Sequence, residues 1–174
     1  AGMIAIAMRA EVTPYVVEVT ELGQVRLVGT PNEQAWEPTE AMVTHVVERF
    51  VRSARQTSAD AEVMRTWWRE ATGYLTSEGH QDLKDWMREE RGDARPEGRQ
   101  VTPVASHILS DTTRRVEWIE RCERGAPRRY VGLFEVEVVP PSDVASMKRN
   151  PMGVWITHFS WSASSGPTGR EERP

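Results

Sequence analysis

Lys148-Arg149-Asn150-Pro151-Met152-Gly153-Val154-Trp155-Ile156-Thr157-His158-Phe159-Ser160-Trp161 joins two kinds of local chemistry. In its first half, Asn150 tolerates turn conformations, Pro151 presets φ, and Gly153 brings backbone freedom that a Cβ would remove. Asn150 to Gly153 therefore reads as a stiff corner. From Val154 onward the residues are β-branched and aromatic, as in a strand. Strict alternation predicts Trp155, Thr157, Phe159 and Trp161 on one face, and Val154, Ile156, His158 and Ser160 on the other.

Working backward, the period stays at two as far as Gly98. Gln100–Leu109 reads as a strand at a sheet edge, because Pro103 lacks an N–H to donate. Ser110-Asp111-Thr112 forms a turn. Arg114–Cys122 follows, with Val116, Trp118 and Cys122 on one face and Arg115, Glu117, Ile119 and Arg121 on the other. Gly125-Ala126-Pro127 turns the chain into the longest strand, Arg129–Val139. Tyr130, Gly132, Phe134, Val136 and Val138 alternate there with Val131, Leu133, Glu135, Glu137 and Val139. Two-sided apolar character implies a central position in the sheet. Pro140-Pro141 ends the strand. Ser142–Arg149 reads as a short helix with Val144 and Met147 turned inward.

The first half of the chain has helical periodicity. Thr39 is an N-cap residue with Glu40 at the positive end of the helix dipole. Met42, Val43, Val46, Val47, Phe50 and Val51 then recur at helical spacing as far as Arg55. So broad a stripe fits either a helix buried in the core or one that keeps surface for a partner. A second helix starts near Ser58 or Asp60, with Val63, Met64, Trp67, Trp68, Ala71 and Leu75 apolar. A third starts at Thr76 or Ser77, carries Leu83, Trp86 and Met87, and fades into Arg88–Asp93. Before these, Tyr15–Val19 and Val25–Val28 around Glu21-Leu22-Gly23-Gln24 read as a hairpin. Helices first and antiparallel strands second imply an α+β fold, with helices packed on one face of a curved meander.

Composition narrows the function. The 174 residues suit one domain with tails. Lys and Arg number 22 against 26 Asp and Glu, a net charge of −4 with no basic stripe, which argues against specific nucleic-acid binding. Mean hydropathy is −0.56. No run approaches the roughly 20 apolar residues that span a bilayer. Cys122 is the one cysteine, so a cysteine-based metal cluster is excluded. His45, His80, His107 and His158 share no short ligand spacing, and no phosphate loop, nucleophile elbow or dinucleotide fingerprint is present. Asp82, Asp85 and Glu89, interleaved with Lys84 and Arg88, read as a solvated helix face. Nothing concentrates into an active site, and no cofactor is expected.

Three motifs in order carry a resemblance. They are Pro14-Tyr15-Val16-Val17-Glu18-Val19 with Gly23, Pro38-Thr39 opening the first helix, and Asn150-Pro151-Met152-Gly153 running into Val154-Trp155-Ile156 and closing at Trp161-Ser162. In this the chain resembles TrbF-type proteins, inner-membrane components of bacterial type IV secretion and conjugal transfer machines. The resemblance implies a nuclear-transport-factor-two-like fold: a four-stranded antiparallel sheet curved around N-terminal helices. It also implies a non-catalytic subunit that assembles a channel through protein–protein contacts in the periplasm. The divisions would be residues 1–11, a disordered remnant after a membrane anchor absent from this chain, 12–162, the periplasmic domain, and 163–174, a disordered tail. Expected partners are other channel subunits and a second copy in a weak dimer. The residues implicated are Asn150, Pro151, Met152, Gly153 and Val154, with Met42 and Val46 of the first helix. Met152 stands where the family usually has an aliphatic residue, a swap that keeps volume. Two alternatives stay open. Met152 could be tucked into the fold, the corner serving only to aim the last strand, and the same cone-shaped fold could house an enzyme or small-molecule binder.

Overall fold

The computed structural model describes residues 16–19, 25–29, 37–90 and 98–164. The N-terminal remnant, Pro14, Tyr15, the Glu21–Gln24 turn, most of the charged run after the third helix and the tail from residue 165 lie outside the described residues. Strands β1 (Val16–Val19) and β2 (Val25–Gly29) pair antiparallel as a separate two-stranded sheet.

Helix α1 (Glu40–Arg55) starts where the sequence predicts. Thr39 Oγ1 accepts the Met42 N–H at 3.3 Å, satisfying a donor that the first helical turn leaves without a backbone partner. Helix α2 (Ala61–Gly73) is capped by Asp60, whose carboxylate accepts the N–H groups of Glu62 and Val63. Helix α3 (Ser77–Glu90) follows Thr76, whose Oγ1 accepts the Gly79 N–H. Then come β3 (Gln100–Ile108), β4 (Thr113–Arg121), β5 (Arg128–Val138), α4 (Val144–Arg149) and β6 (Val154–Ala163). The four strands form one antiparallel meander in the order β3-β4-β5-β6.

Helix α1 lies across β3, β4 and β6, α2 packs on α1, and α3 packs on β6. Between them sits the core: Val47, Phe50 and Val51 from the helix side, and Val116, Trp118, Phe134, Val154 and Ile156 from the sheet, all fully buried. Strand β3 is an edge strand, as Pro103 predicts, and its register shifts between Pro103 and Ala105. The free edge of β6 is closed by other means. The Ile156 N–H donates to Tyr74 O at 2.8 Å, and its carbonyl accepts the Thr76 N–H at 3.1 Å. Helix α3 comes so close to this edge that a Cβ on Gly79 would stand 2.5 Å from the Ile156 carbonyl oxygen.

Two expectations about facing are overturned. Strand β6 does not alternate strictly. Glu135 pairs with His158 but Val136 pairs with Ile156, so Thr157 is an extra residue in a bulge. The phase flips there: Val154 and Ile156 point inward before it, Phe159 and Trp161 after it. Trp155 therefore does not share a face with Phe159 and Trp161. The second concerns α4, where Val144 is 42% exposed and turned outward and Met147 is half-buried. A six-residue helix anchored by its Asp143–Ser146 capping box has no need of an apolar stripe.

Candidate interaction surface

The corner is built from both sides. Asn150 caps the end of α4, its N–H donating to Ser146 O at 2.8 Å. Its side-chain Nδ2 donates to Val154 O at 2.7 Å, and its carbonyl accepts the Gly153 N–H at 3.1 Å, closing a four-residue turn. Asn150 is thereby 1% exposed. Gly153 has φ +61, and a Cβ there would fall 2.4 Å from the Val139 carbonyl oxygen. The Gly153 carbonyl in turn accepts the Val139 N–H at 2.8 Å. The corner is thus pinned to the outgoing end of β5 by backbone alone.

The implicated residues fall into two groups. Val46, Asn150, Gly153 and Val154 are buried in this chain, so they hold the corner and α1 in place and present no surface themselves. Pro151 is exposed, and Met152 and Met42 are half-buried, Met152 resting against the core. Val138, Val139 and Val144 are 41%, 49% and 42% exposed, and Ile108 and Leu109 at the β3–β4 turn are 53% and 54% exposed. The start of α1 is tied to this end because Arg114 Nη2 donates to Glu40 Oε2 at 2.6 Å, while its Nη1 donates to Ser110 O at 2.6 Å.

At the other end of the sheet lies a cluster that the strand pattern does not reveal. Glu120 is 4% exposed. Its Oε1 accepts Arg55 Nε at 2.6 Å and Trp118 Nε1 at 2.9 Å, and its Oε2 accepts Arg99 Nη1 at 3.3 Å. The alternation of β4 gives no sign of this carboxylate, and Arg55, on the last turn of α1, turns inward to meet it. A buried carboxylate needs opposite charge and donors, and here it has both. Beside it four rings pack together: Phe50, Phe134, Phe159 and Trp161 have centroids 4.5–6.3 Å apart.

Other polar contacts join elements. Glu70 of α2 accepts Arg49 Nε at 2.8 Å and Ser53 Oγ at 2.6 Å from α1. Burial, with the Glu70 charge beside it, pushes the Tyr74 hydroxyl above its usual range. Asp82 of α3 leaves the solvated face assigned to it: its Oδ2 accepts the Phe159 N–H and meets His158 Nδ1, both at 3.1 Å, just past the bulge. Asp85 keeps a surface role, pairing with Arg88 and Gln81. Among the described residues, no group of three or more His, Cys, Asp or Glu could hold a metal ion, and no helix is long and apolar enough to cross a membrane.

Comparison with known proteins places these features. A conjugal transfer protein TrbF from Rhizobium radiobacter is 28% identical over 164 residues, which cover 89% of this chain and 74% of that protein. Among solved structures, a TrwG component of a type IV secretion system from Bartonella birtlesii superposes with a TM-score of 0.62 at 9% identity, covering 75% of this chain and 96% of the other. The VirB8 protein of Agrobacterium tumefaciens gives 0.56 at 12% identity, covering 74% and 95%. At those identities the likeness concerns fold alone, and it is the nuclear-transport-factor-two-like arrangement of helices on a curved four-stranded sheet. The VirB8 protein family model matches residues 1–164, and the chain belongs to the VirB8 family.

Proposed function

We propose that the chain is an assembly subunit of a bacterial type IV secretion channel of the conjugal transfer kind, acting by protein–protein contacts and catalysing no reaction. Membership of the VirB8 family across residues 1–164 carries this reading, and the likeness to a conjugal transfer protein specifies it. Residues 12–162 would be the working domain, held in the periplasm by a membrane anchor. The contact end is the one that presents Pro151, Met152 and Met42 among Val138, Val139 and Val144. A corner already fixed by Asn150 and Gly153 loses little conformational freedom when a neighbour covers it. The filled interior supports the non-catalytic part. Where a cone-shaped enzyme would keep space for substrate, Trp118 and Phe134 are fully buried and Glu120 is neutralised by guanidinium groups.

The test is transfer itself. In cells lacking the native copy, the unaltered protein is expected to restore transfer. Met152→Glu, accumulating to the same level, is expected to lower it by at least tenfold. Undiminished transfer with Met152→Glu and with a second charge at Val139 would refute the contact end.

A further inference from the structure

The buried cluster at the far end of the sheet holds the Arg55 cation inside a box of rings. Arg55 is 3% exposed. Its guanidinium carbon stands 4.8 Å from the Tyr130 ring centroid, 5.1 Å from that of Trp86 and 5.3 Å from that of Trp161. Its Nε donates to Glu120 at 2.6 Å, and Trp118 stacks on Tyr130 at 5.8 Å with 12° between the planes. Three ring faces around a cation, with a carboxylate at its edge, are what recognition of a planar organic cation requires. These groups come from α1, α3, β4, β5 and β6, so the box exists only in the folded domain. It lies away from the contact end: Tyr130 and Val138 are eight residues apart on β5, about 27 Å at ~3.4 Å each.

We infer that this box is a guanidinium-specific site whose native ligand is the chain's own Arg55, which closes the cleft between helices and sheet from within. The site recognises charge and planar shape together. A neutral isostere lacks the attraction to the rings and to Glu120, and a compact ammonium lacks the fork. The inference is independent of the contact end and of the partners assigned to it.

The test empties the box and refills it. Arg55→Ala keeps Cβ, and N-ethylguanidinium carries the atoms that are missing. In thermal and urea unfolding of the domain, Arg55→Ala is expected to be less stable than the wild type. N-ethylguanidinium is expected to restore stability saturably, by about tenfold in the folding equilibrium at roughly ten times its dissociation constant. N-ethylurea and ethylammonium at equal concentration should restore little, wild-type protein should not respond, and Arg55→Ala combined with Glu120→Gln should lose the response. If Arg55→Ala is unfolded alone, recovery of its circular dichroism on adding N-ethylguanidinium is the same positive result. No recovery, whether the variant is folded or not, overturns the inference. So does equal rescue by N-ethylurea. Arg55→Leu gives a second reading: wild-type stability in that variant would mean that the box needs only packing and not a cation.

Discussion

Gly153→Ala isolates the backbone logic of the corner. At φ +61 an alanine meets the steric penalty of the left-handed region, about 1–2 kcal/mol. The new Cβ would stand 2.4 Å from the Val139 carbonyl oxygen and 3.0 Å from its carbon. Both are backbone atoms at the end of β5, so no side-chain rotation relieves the contact. The end of the strand must move, and the bond from Val139 N–H to Gly153 O goes with it, costing about 1 kcal/mol more. The sum is about 2–3 kcal/mol, a drop in Tm of roughly 4–12 °C for a chain of this size. Gly125→Ala is the internal control, since Gly125 also has positive φ (+103) but nothing within 4 Å of its Cβ position. It should lose only the conformational part, about 1–2 kcal/mol. Urea unfolding of both variants followed by tryptophan fluorescence gives the comparison. If Gly153→Ala costs no more than Gly125→Ala, the corner is not pinned to Val139 and the reasoning fails.

Other expectations follow from the same contacts. Glu120→Ala strands the Arg55 and Arg99 charges in the interior and should cost about 3–5 kcal/mol in urea unfolding; a loss under 1 kcal/mol would mean that water reaches the cluster. Phe134→Ala removes a fully buried ring that touches Phe50, Phe159 and Trp161, for about 3–5 kcal/mol, and a near-neutral result would contradict the assigned core. The Ser146 backbone N–H holds the Asp143 carboxyl below its usual range. A depressed folded-state value means that the cap contributes above the unfolded value and is lost as pH falls through the folded one. The Ser146 amide resonance should therefore shift at a pH below the ordinary aspartate range, and Asp143→Ala should abolish that step.

How far the sequence could be read follows from the range of each interaction. Thr39, Asp60 and the turn residues act on neighbours a few positions away, so the helix starts and the four-strand meander were legible. Pro103 marked an edge strand because it cannot donate within a ladder. The facing of β6 was not legible, because the extra residue at Thr157 depends on how β5 and α3 hold the strand, and alternation has no sign for that. Glu120 was missed for a similar reason. In the sequence it is one more charged residue in Arg114–Cys122, and its partner Arg55 lies 65 positions away. At the corner, Asn-Pro-Met-Gly announced a turn, but only the coordinates separate Asn150, Gly153 and Val154, which hold it, from Pro151, which is exposed, and Met152, which is half-buried against the core.

If the corner end is what this domain presents to neighbouring subunits, a second copy among them, the domain self-associates through that end. Sedimentation equilibrium on the domain, wild type beside Met152→Glu, tests it most directly. The expected result is reversible self-association of the wild type, weakened at least tenfold, or about 1.4 kcal/mol, in a variant with unchanged circular dichroism and Tm. A wild type that stays monomeric at every concentration, or a variant that associates as tightly as the wild type, would contradict it.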